Sequence, residues 1–402
     1  MTDGVKSKVY RFGPFLLDAN ERRLCRDGKA VPLTGKAFDT LQLLVEGAGT
    51  LQKQQSLIDR LWPNVFVEPN NLQYNISLVR HALAEAPGVE IETVRRQGYR
   101  LLAEVHGGES AGPKSPIGPA GHPQHVNFCI SGDGARLAYA FLGDGPLLVK
   151  AAHWLSHLEL DRQGPLWTHW LELLTRNRRL LRYDARGNGL SDWTPPSLTF
   201  ANFVADLATV FDAAGVERAP ILGISQGAAV AVAYAARHPE RVSGLILVGG
   251  CARGWRVKGN PQLSERFEAL ITLMRQGWGG RNAAFRQIFT TAFFPEASID
   301  QMEWFNELQR QTTSAANAAA ILSALGDADV REDLPRIKAP TLVLHSRFDA
   351  VVPFKDGIEL ASGIAGARFV PLESANHVWL ANEPAWLQFS RELEGFLGEI
   401  RS

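Results

Sequence analysis

Apolar and polar residues alternate early in the chain, at Val9-Tyr10-Arg11-Phe12, at Phe15-Leu16-Leu17-Asp18 and at Arg23-Leu24-Cys25-Arg26 before Asp27-Gly28. A period of two closed by a turn dipeptide predicts a small antiparallel sheet. The period then lengthens. Thr34 is placed to cap a helix with Phe38, Leu41, Leu44 and Val45 on one face. A second helix is expected about from Lys53 to Leu61, ending before Pro63, and a third from Pro69-Asn70 to Glu85. In the third, Leu72, Ile76, Val79 and Leu83 form one apolar stripe. Asn70, Tyr74, Ser77 and His81 fall opposite, with Gln73 and Leu78 at the flanks. The stretch Glu92 to Leu101 reads as a hairpin with Arg95 and Arg96 at its tip.

Between His106 and Gln124 no hydrophobic period survives, and Gly107-Gly108, Gly112-Pro113, Pro116, Gly118-Pro119 and Gly121 crowd the segment. It reads as a semi-flexible linker, which divides the chain into residues 1–105, 106–124 and 125–402. Past the linker, Val126–Ile130 and Arg136–Ala140 suggest an opening hairpin. Short apolar runs then alternate with helical patterns, which predicts a mostly parallel sheet with helices on both faces. Residues 252–330 interrupt the alternation with helices rich in aromatics, among them Phe267, Phe289, Phe293 and Phe294. They read as a lid over an apolar pocket or as a cluster that buries only itself; both readings fit, for different residues.

Composition changes this picture little. Lys plus Arg and Asp plus Glu are both 42 in 402 residues, so net charge points to no partner class. The three cysteines, Cys25, Cys129 and Cys251, are far apart, which argues against a disulfide framework and for a reducing, cytoplasmic setting. Without a Cys-x-x-Cys pair or clustered His, no metal site is expected, and no cofactor is implied. The N-terminus lacks an apolar signal region, and no run of about 18 apolar residues predicts a membrane span.

The motifs Phe12-Gly13-Pro14-Phe15, Val31-Pro32-Leu33-Thr34, Leu61-Trp62-Pro63, Asn71-Leu72-Gln73-Tyr74-Asn75-Ile76-Ser77 and Thr93-Val94-Arg95-Arg96-Gln97-Gly98-Tyr99-Arg100 occur in this order. Residues 8–105 therefore resemble an OmpR/PhoB-type winged helix-turn-helix DNA-binding domain. The resemblance implies that the third helix enters the major groove of double-stranded DNA. Asn70, Asn71, Tyr74, Ser77 and Arg80 would then face DNA, with Arg95 and Arg96 on phosphates. The chain departs from the family at Leu78, where arginine is common; base readout would be weaker there or directed at a thymine methyl. The domain is barely basic, so use of the same fold for protein contacts is the competing reading.

Chemistry concentrates at Gly223-Ile224-Ser225-Gln226-Gly227, which follows the apolar Pro220-Ile221-Leu222 and precedes a small-residue helix. A serine between glycines on a strand-to-helix turn is the nucleophile elbow of an α/β-hydrolase. A hydroxyl needs a base, and the base an orienting acid. In chain order these are Ser225, Asp349 and His377, the latter two in loops after apolar strands. Residues 125–400 resemble the α/β-hydrolase fold, as does Asp184-Ala185-Arg186-Gly187-Asn188-Gly189-Leu190-Ser191. Arg186 is expected to brace its loop, and His153 and His157 to be packing or pocket residues. The resemblance implies an oxyanion hole built from the N–H groups of Gln226 and Trp154. Ala152-His153 stands where the family has His-Gly, so a backbone angle that requires glycine would be strained, which predicts slow turnover.

The expected architecture is thus a winged helix-turn-helix (α+β) followed by an α/β-hydrolase fold with a helical lid at about 252–330. Three functions compete. One is a one-component transcription regulator, expected to be a homodimer, whose hydrolase domain binds, with or without hydrolysis, a small apolar ester or lactone effector. Another is a serine hydrolase (esterase, lactonase or C–C hydrolase) with the winged helix as a regulatory or tethering module. The third is an interaction protein with a dead triad, which the intact Ser225, Asp349 and His377 argue against.

Overall fold

The computed structural model describes residues 9–19, 23–26, 29–31, 33–61, 69–84, 86, 88–94, 97–108, 124–280 and 282–400. The chain divides into two compact units, Met1–Ser115 and Pro116–Ser402. No helix among the described residues is long and apolar enough to cross a membrane.

In the first unit β1 (Val9–Phe12), β2 (Phe15–Asp18), β3 (Arg23–Arg26) and β4 (Lys29–Val31) form the expected antiparallel sheet. Three helices follow: α1 (Gly35–Glu46), α2 (Gln54–Leu61) and α3 (Pro69–Ala82). Thr34 accepts from the Ala37 N–H and caps α1. The stripe of Leu72, Ile76, Val79 and Leu83 is buried to 4% exposure or less, and each such side chain contributes about 1.5–3 kcal/mol by leaving water. The hairpin is β6 (Glu90–Val94) with β7 (Gly98–Leu102), and a two-residue β5 (Gln52–Lys53) pairs with β7.

The stretch expected to be a linker, 106–124, begins as a strand instead, and its residues 109–123 lie outside the described residues. β8 (Val105–Gly108) pairs antiparallel with β1, from Phe12 opposite Val105 to Val9 opposite Gly108. This strand completes the sheet order β4-β3-β2-β1-β8. Its hydrogen bonds come from the backbone, so Gly107-Gly108 join it without any hydrophobic alternation to announce them.

The second unit opens on β9 (Val126–Ile130), β10 (Arg136–Leu142) and β11 (Leu147–Lys150), then α4 (Thr168–Thr175), β12 (Arg179–Tyr183) and α5 (Phe200–Ala213). Next come β13 (Ala219–Ile224), α6 (Gln226–Arg237) and β14 (Val242–Val248). Four helices interrupt the alternation: α7 (Pro261–Gly277), α8 (Ala284–Phe293), α9 (Ile299–Thr312) and α10 (Ala315–Gly326). The unit closes on β15 (Thr341–Ser346), α11 (Phe354–Ser362), β16 (Arg368–Leu372) and α12 (Pro384–Glu399). The sheet order is β16-β15-β14-β13-β11-β12-β10-β9. β10 runs antiparallel to both neighbours, and the strands from β12 to β16 are parallel. Each parallel strand is covered on both faces, which is why β13, β14 and β15 are near-continuous apolar runs. The loops after β13, β15 and β16 all leave the same C-terminal edge, where ligands bind in parallel sheets.

Candidate active site

Ser225 joins β13 to α6 in a backbone conformation of φ 53° and ψ −117°. A side chain at positive φ costs about 1–3 kcal/mol and persists only where its surroundings enforce it. The two glycines are part of that enforcement. A Cβ on Gly223 would lie 2.5 Å from the Gly227 carbonyl, and one on Gly227 would lie 2.9 Å from the Ala152 carbonyl. The strand, the helix and the β11 loop thus approach one another through the positions that carry no side chain.

His377 Nδ1 lies 2.6 Å from Asp349 Oδ2. The other carboxylate oxygen, Oδ1, accepts from the Val351 and Val352 N–H groups at 2.8 and 2.9 Å. Burial alone would raise this carboxyl, but the His377 charge, its hydrogen bond and the Val352 N–H outweigh it and hold Asp349 below the ordinary carboxylate value. Asp349 is therefore ionised at neutral pH, as the partner of an imidazolium must be. His377 Nε2 is buried and makes no hydrogen bond; it is the ring atom that remains to receive a proton.

The lid holds the histidine from the other side. The His377 N–H donates to Phe293 O at 2.9 Å, and the Phe293 ring meets the imidazole edge-on at 5.0 Å. Asn376 receives the Glu296 N–H and donates toward Glu296 and Glu383. Nothing in the sequence signalled these lid contacts, because the partners lie about 80 residues apart. Gly249, at φ 56°, leaves only 2.9 Å between its would-be Cβ and His377 Cε1. Gly249→Ala is expected to displace the ring and lower kcat by about 10²-fold, the order of loss that a 1 Å misplacement causes. An unaltered kcat in an ester assay would show that the ring has room to spare.

The β11 loop differs from expectation in where it is strained. The positive φ falls on Leu155, at 56°, and not on Ala152, His153 or Trp154. Neither the Trp154 nor the Gln226 backbone N–H donates to another described residue, which is what an oxyanion hole requires. His153 and His157 pack and do not line the cavity. Lys150 Nζ sits 3.1 Å from His153 Nδ1, and His157 Nδ1 accepts from the Glu159 and Leu160 N–H groups. Burial, together with the Lys150 charge, drives His153 far below its ordinary value, so it is neutral. Burial also lowers Lys150 to about 8 and raises Asp184 to about 7. Asp184 accepts from the Leu158 and Leu190 N–H groups, tying the β11 loop to the loop after β12. Arg186 braces its loop as expected, through Asp206 and Asp133.

A cavity of about 220 Å³ opens at Ser225, with Trp154 and Gln226 on its wall. Phe267, Leu270, Phe289 and Phe293 close it from the lid. Phe294 and Phe305 bury each other instead, edge to face at 4.9 Å, and Trp278 packs edge-on against Trp154 at 6.1 Å. Both readings of the lid aromatics therefore hold, for different residues.

In the first unit Asn71, Tyr74 and Ser77 are exposed on α3, and Tyr74 is 65% exposed. The Asn70 side chain and the whole of Arg95 and Arg96 lie outside the described residues. Arg80 departs from expectation. Its guanidinium donates to Ile91 O at 2.7 Å and Thr93 Oγ1 at 2.6 Å, so it fastens α3 to β6. Leu78 is half-buried against the core of this unit, which explains an apolar residue there without any thymine contact.

Comparison with known proteins agrees with both units. A family described as alpha/beta hydrolase fold matches residues 162–384, and one described as transcriptional regulatory protein, C terminal, matches residues 28–101. The chain is 29% identical over 284 residues to a putative carbamate hydrolase, RutD, of Azorhizobium caulinodans, covering 67% of this chain and 97% of that one. It is 29% identical over 207 residues to the AB hydrolase superfamily protein YisY of Bacillus subtilis, covering 51% and 77%. Among solved structures, a hydrolase from Pseudomonas aeruginosa matches with a TM-score of 0.55 at 29% identity, over 69% of this chain and 98% of that one. The enol-lactonase from Burkholderia xenovorans gives 0.54 at 26% identity, over 68% and 100%.

Proposed function

The chain belongs to the alpha/beta-hydrolase-fold family through residues 162–384, and with a transcriptional-regulator domain at residues 28–101 we propose that it is a one-component transcription regulator. In this reading the first unit binds double-stranded DNA as a homodimer. The second unit binds, and hydrolyses, a small apolar ester or lactone. The ligand changes DNA affinity by favouring one of two states of the protein, with a coupling that works equally in both directions. The observation that supports this most is an apolar cavity ending on the strained Ser225, in a chain that also presents an exposed polar face on α3.

The test is selection from a random duplex library with the full chain. An enriched site is expected. Replacing Asn71 and Tyr74 together with alanine should weaken that site about tenfold or more, the loss expected from one or two base contacts. Equal retention of all duplexes would leave no regulator to explain. An enzyme-first reading, in which the winged helix only tethers or regulates, is favoured by the relatives themselves. The RutD match extends over 97% of that protein while using 67% of this chain.

A further inference from the structure

The charged residues that line the Ser225 cavity are all of one sign. Arg253, Lys258 and Arg266 are on its wall, and no Asp or Glu is. Two of the three are neutralised by acids of α11. Arg253 Nε lies 2.9 Å from Glu359 Oε1, and Lys258 Nζ lies 2.5 Å from Asp356 Oδ2. Arg266 forms no ion pair or side-chain hydrogen bond among the described residues, so the wall carries one uncompensated positive charge.

Leu263, Arg266, Phe267 and Leu270 follow the i, i+3, i+4, i+7 spacing of one helix face, and all four line the cavity. Arg266 is exposed, so it meets solvent as well as the cavity and interrupts an apolar stripe of α7. A guanidinium takes a carboxylate through two parallel N–H bonds; because Arg266 is exposed, solvent and salt reduce the attraction.

We propose that the compound bound here is apolar along its middle and anionic at one end, with its ester or lactone carbonyl at Ser225 and its carboxylate at Arg266. The proposal rests on reading the Ser225 cavity as the substrate site and narrows that site to acyl compounds with a terminal carboxylate.

The experiment uses two aryl esters of equal chain length, p-nitrophenyl heptanoate and the mono-p-nitrophenyl ester of pimelic acid, with the full-length protein. It also measures calorimetric binding of heptanoate and pimelate. The wild type should show about threefold higher kcat/KM for the half-ester and a similar preference for pimelate, the order expected of one exposed ion pair. Arg266→Gln should bring both ratios close to one, and Arg266→Glu should invert them. Thermal unfolding checks that each variant is folded, and agreement between the two variants separates a charge effect from a local distortion.

Ratios near one in the wild type, unmoved by either substitution, would overturn the anionic end while continued p-nitrophenol release kept the hydrolase reading. Release from neither ester, with pimelate binding still dependent on Arg266, would remove the hydrolysis and keep the anionic site.

Discussion

Ser225→Ala is expected to abolish ester hydrolysis, lowering kcat by about 10⁴-fold or more, and to end labelling by a serine-reactive phosphonate. Under the proposed function, the reaction it stops is an acyl transfer through Ser225. Ser225 Oγ would attack the acyl carbon as its proton passes to His377 Nε2, and the tetrahedral oxyanion would rest on the Trp154 and Gln226 N–H groups. The C–O bond to the leaving alcohol breaks, and the alcohol takes the proton from His377. Water then adds to the acyl-enzyme, gives its proton to His377 and releases the acid, and Oγ regains its proton. Alanine removes the bond-forming atom while the chain keeps the backbone that encloses the cavity. The same variant separates the two leading functions. If the protein senses an intact ligand, DNA binding and its ligand response survive in Ser225→Ala. If the response vanishes with turnover, hydrolysis is itself the signal. Wild-type protein that releases no alcohol from any p-nitrophenyl ester and takes no phosphonate label would make the site a binding pocket only.

Asp349→Asn should cost about as much, near 10⁴-fold in kcat, for a reason specific to this loop. Oδ1 is held by two N–H donors, from Val351 and Val352. An asparagine must place its carbonyl oxygen there, because its NH₂ would oppose both. The NH₂ therefore faces His377 Nδ1, which has to accept. That fixes the ring proton on Nε2, where the imidazole can no longer take the proton of Ser225. Cavity shape and ligand binding change little, so calorimetry with a bound acid should be nearly unaffected while turnover fails. A variant retaining more than about a tenth of wild-type kcat would mean that the acid does not set the tautomer, since that role alone accounts for the loss.

The DNA-facing half offers the clearest contrast between what was legible and what was not. The stripe of Leu72, Ile76, Val79 and Leu83 was readable because helix periodicity is local, and its burial follows from the pattern. Arg80 lies on the same helix, yet its head is engaged by Ile91 and Thr93, eleven and thirteen residues away in sequence. β8 was hidden for a related reason: its pairing uses backbone groups that any residue supplies, and two of its four residues are glycine.

The sequence alone settled the elbow and most of the elements. Strand alternation, helix stripes, the Thr34 cap and the paired glycines around Ser225 act over a few residues, and their steric and hydrogen-bonding demands are written in the residues themselves. It also placed Asp349 and His377 on loops after successive parallel strands. Tertiary structure decided what those loops do when they meet. It set which carboxylate oxygen is spent on backbone donors and which is left for His377. It clamped the His377 loop to the lid at Phe293 and Glu296. It also left Arg266 without an acid while Arg253 and Lys258 gained one. Each of these is a balance between burial and a partner brought from far along the chain, and such partners are chosen by packing rather than by neighbouring sequence.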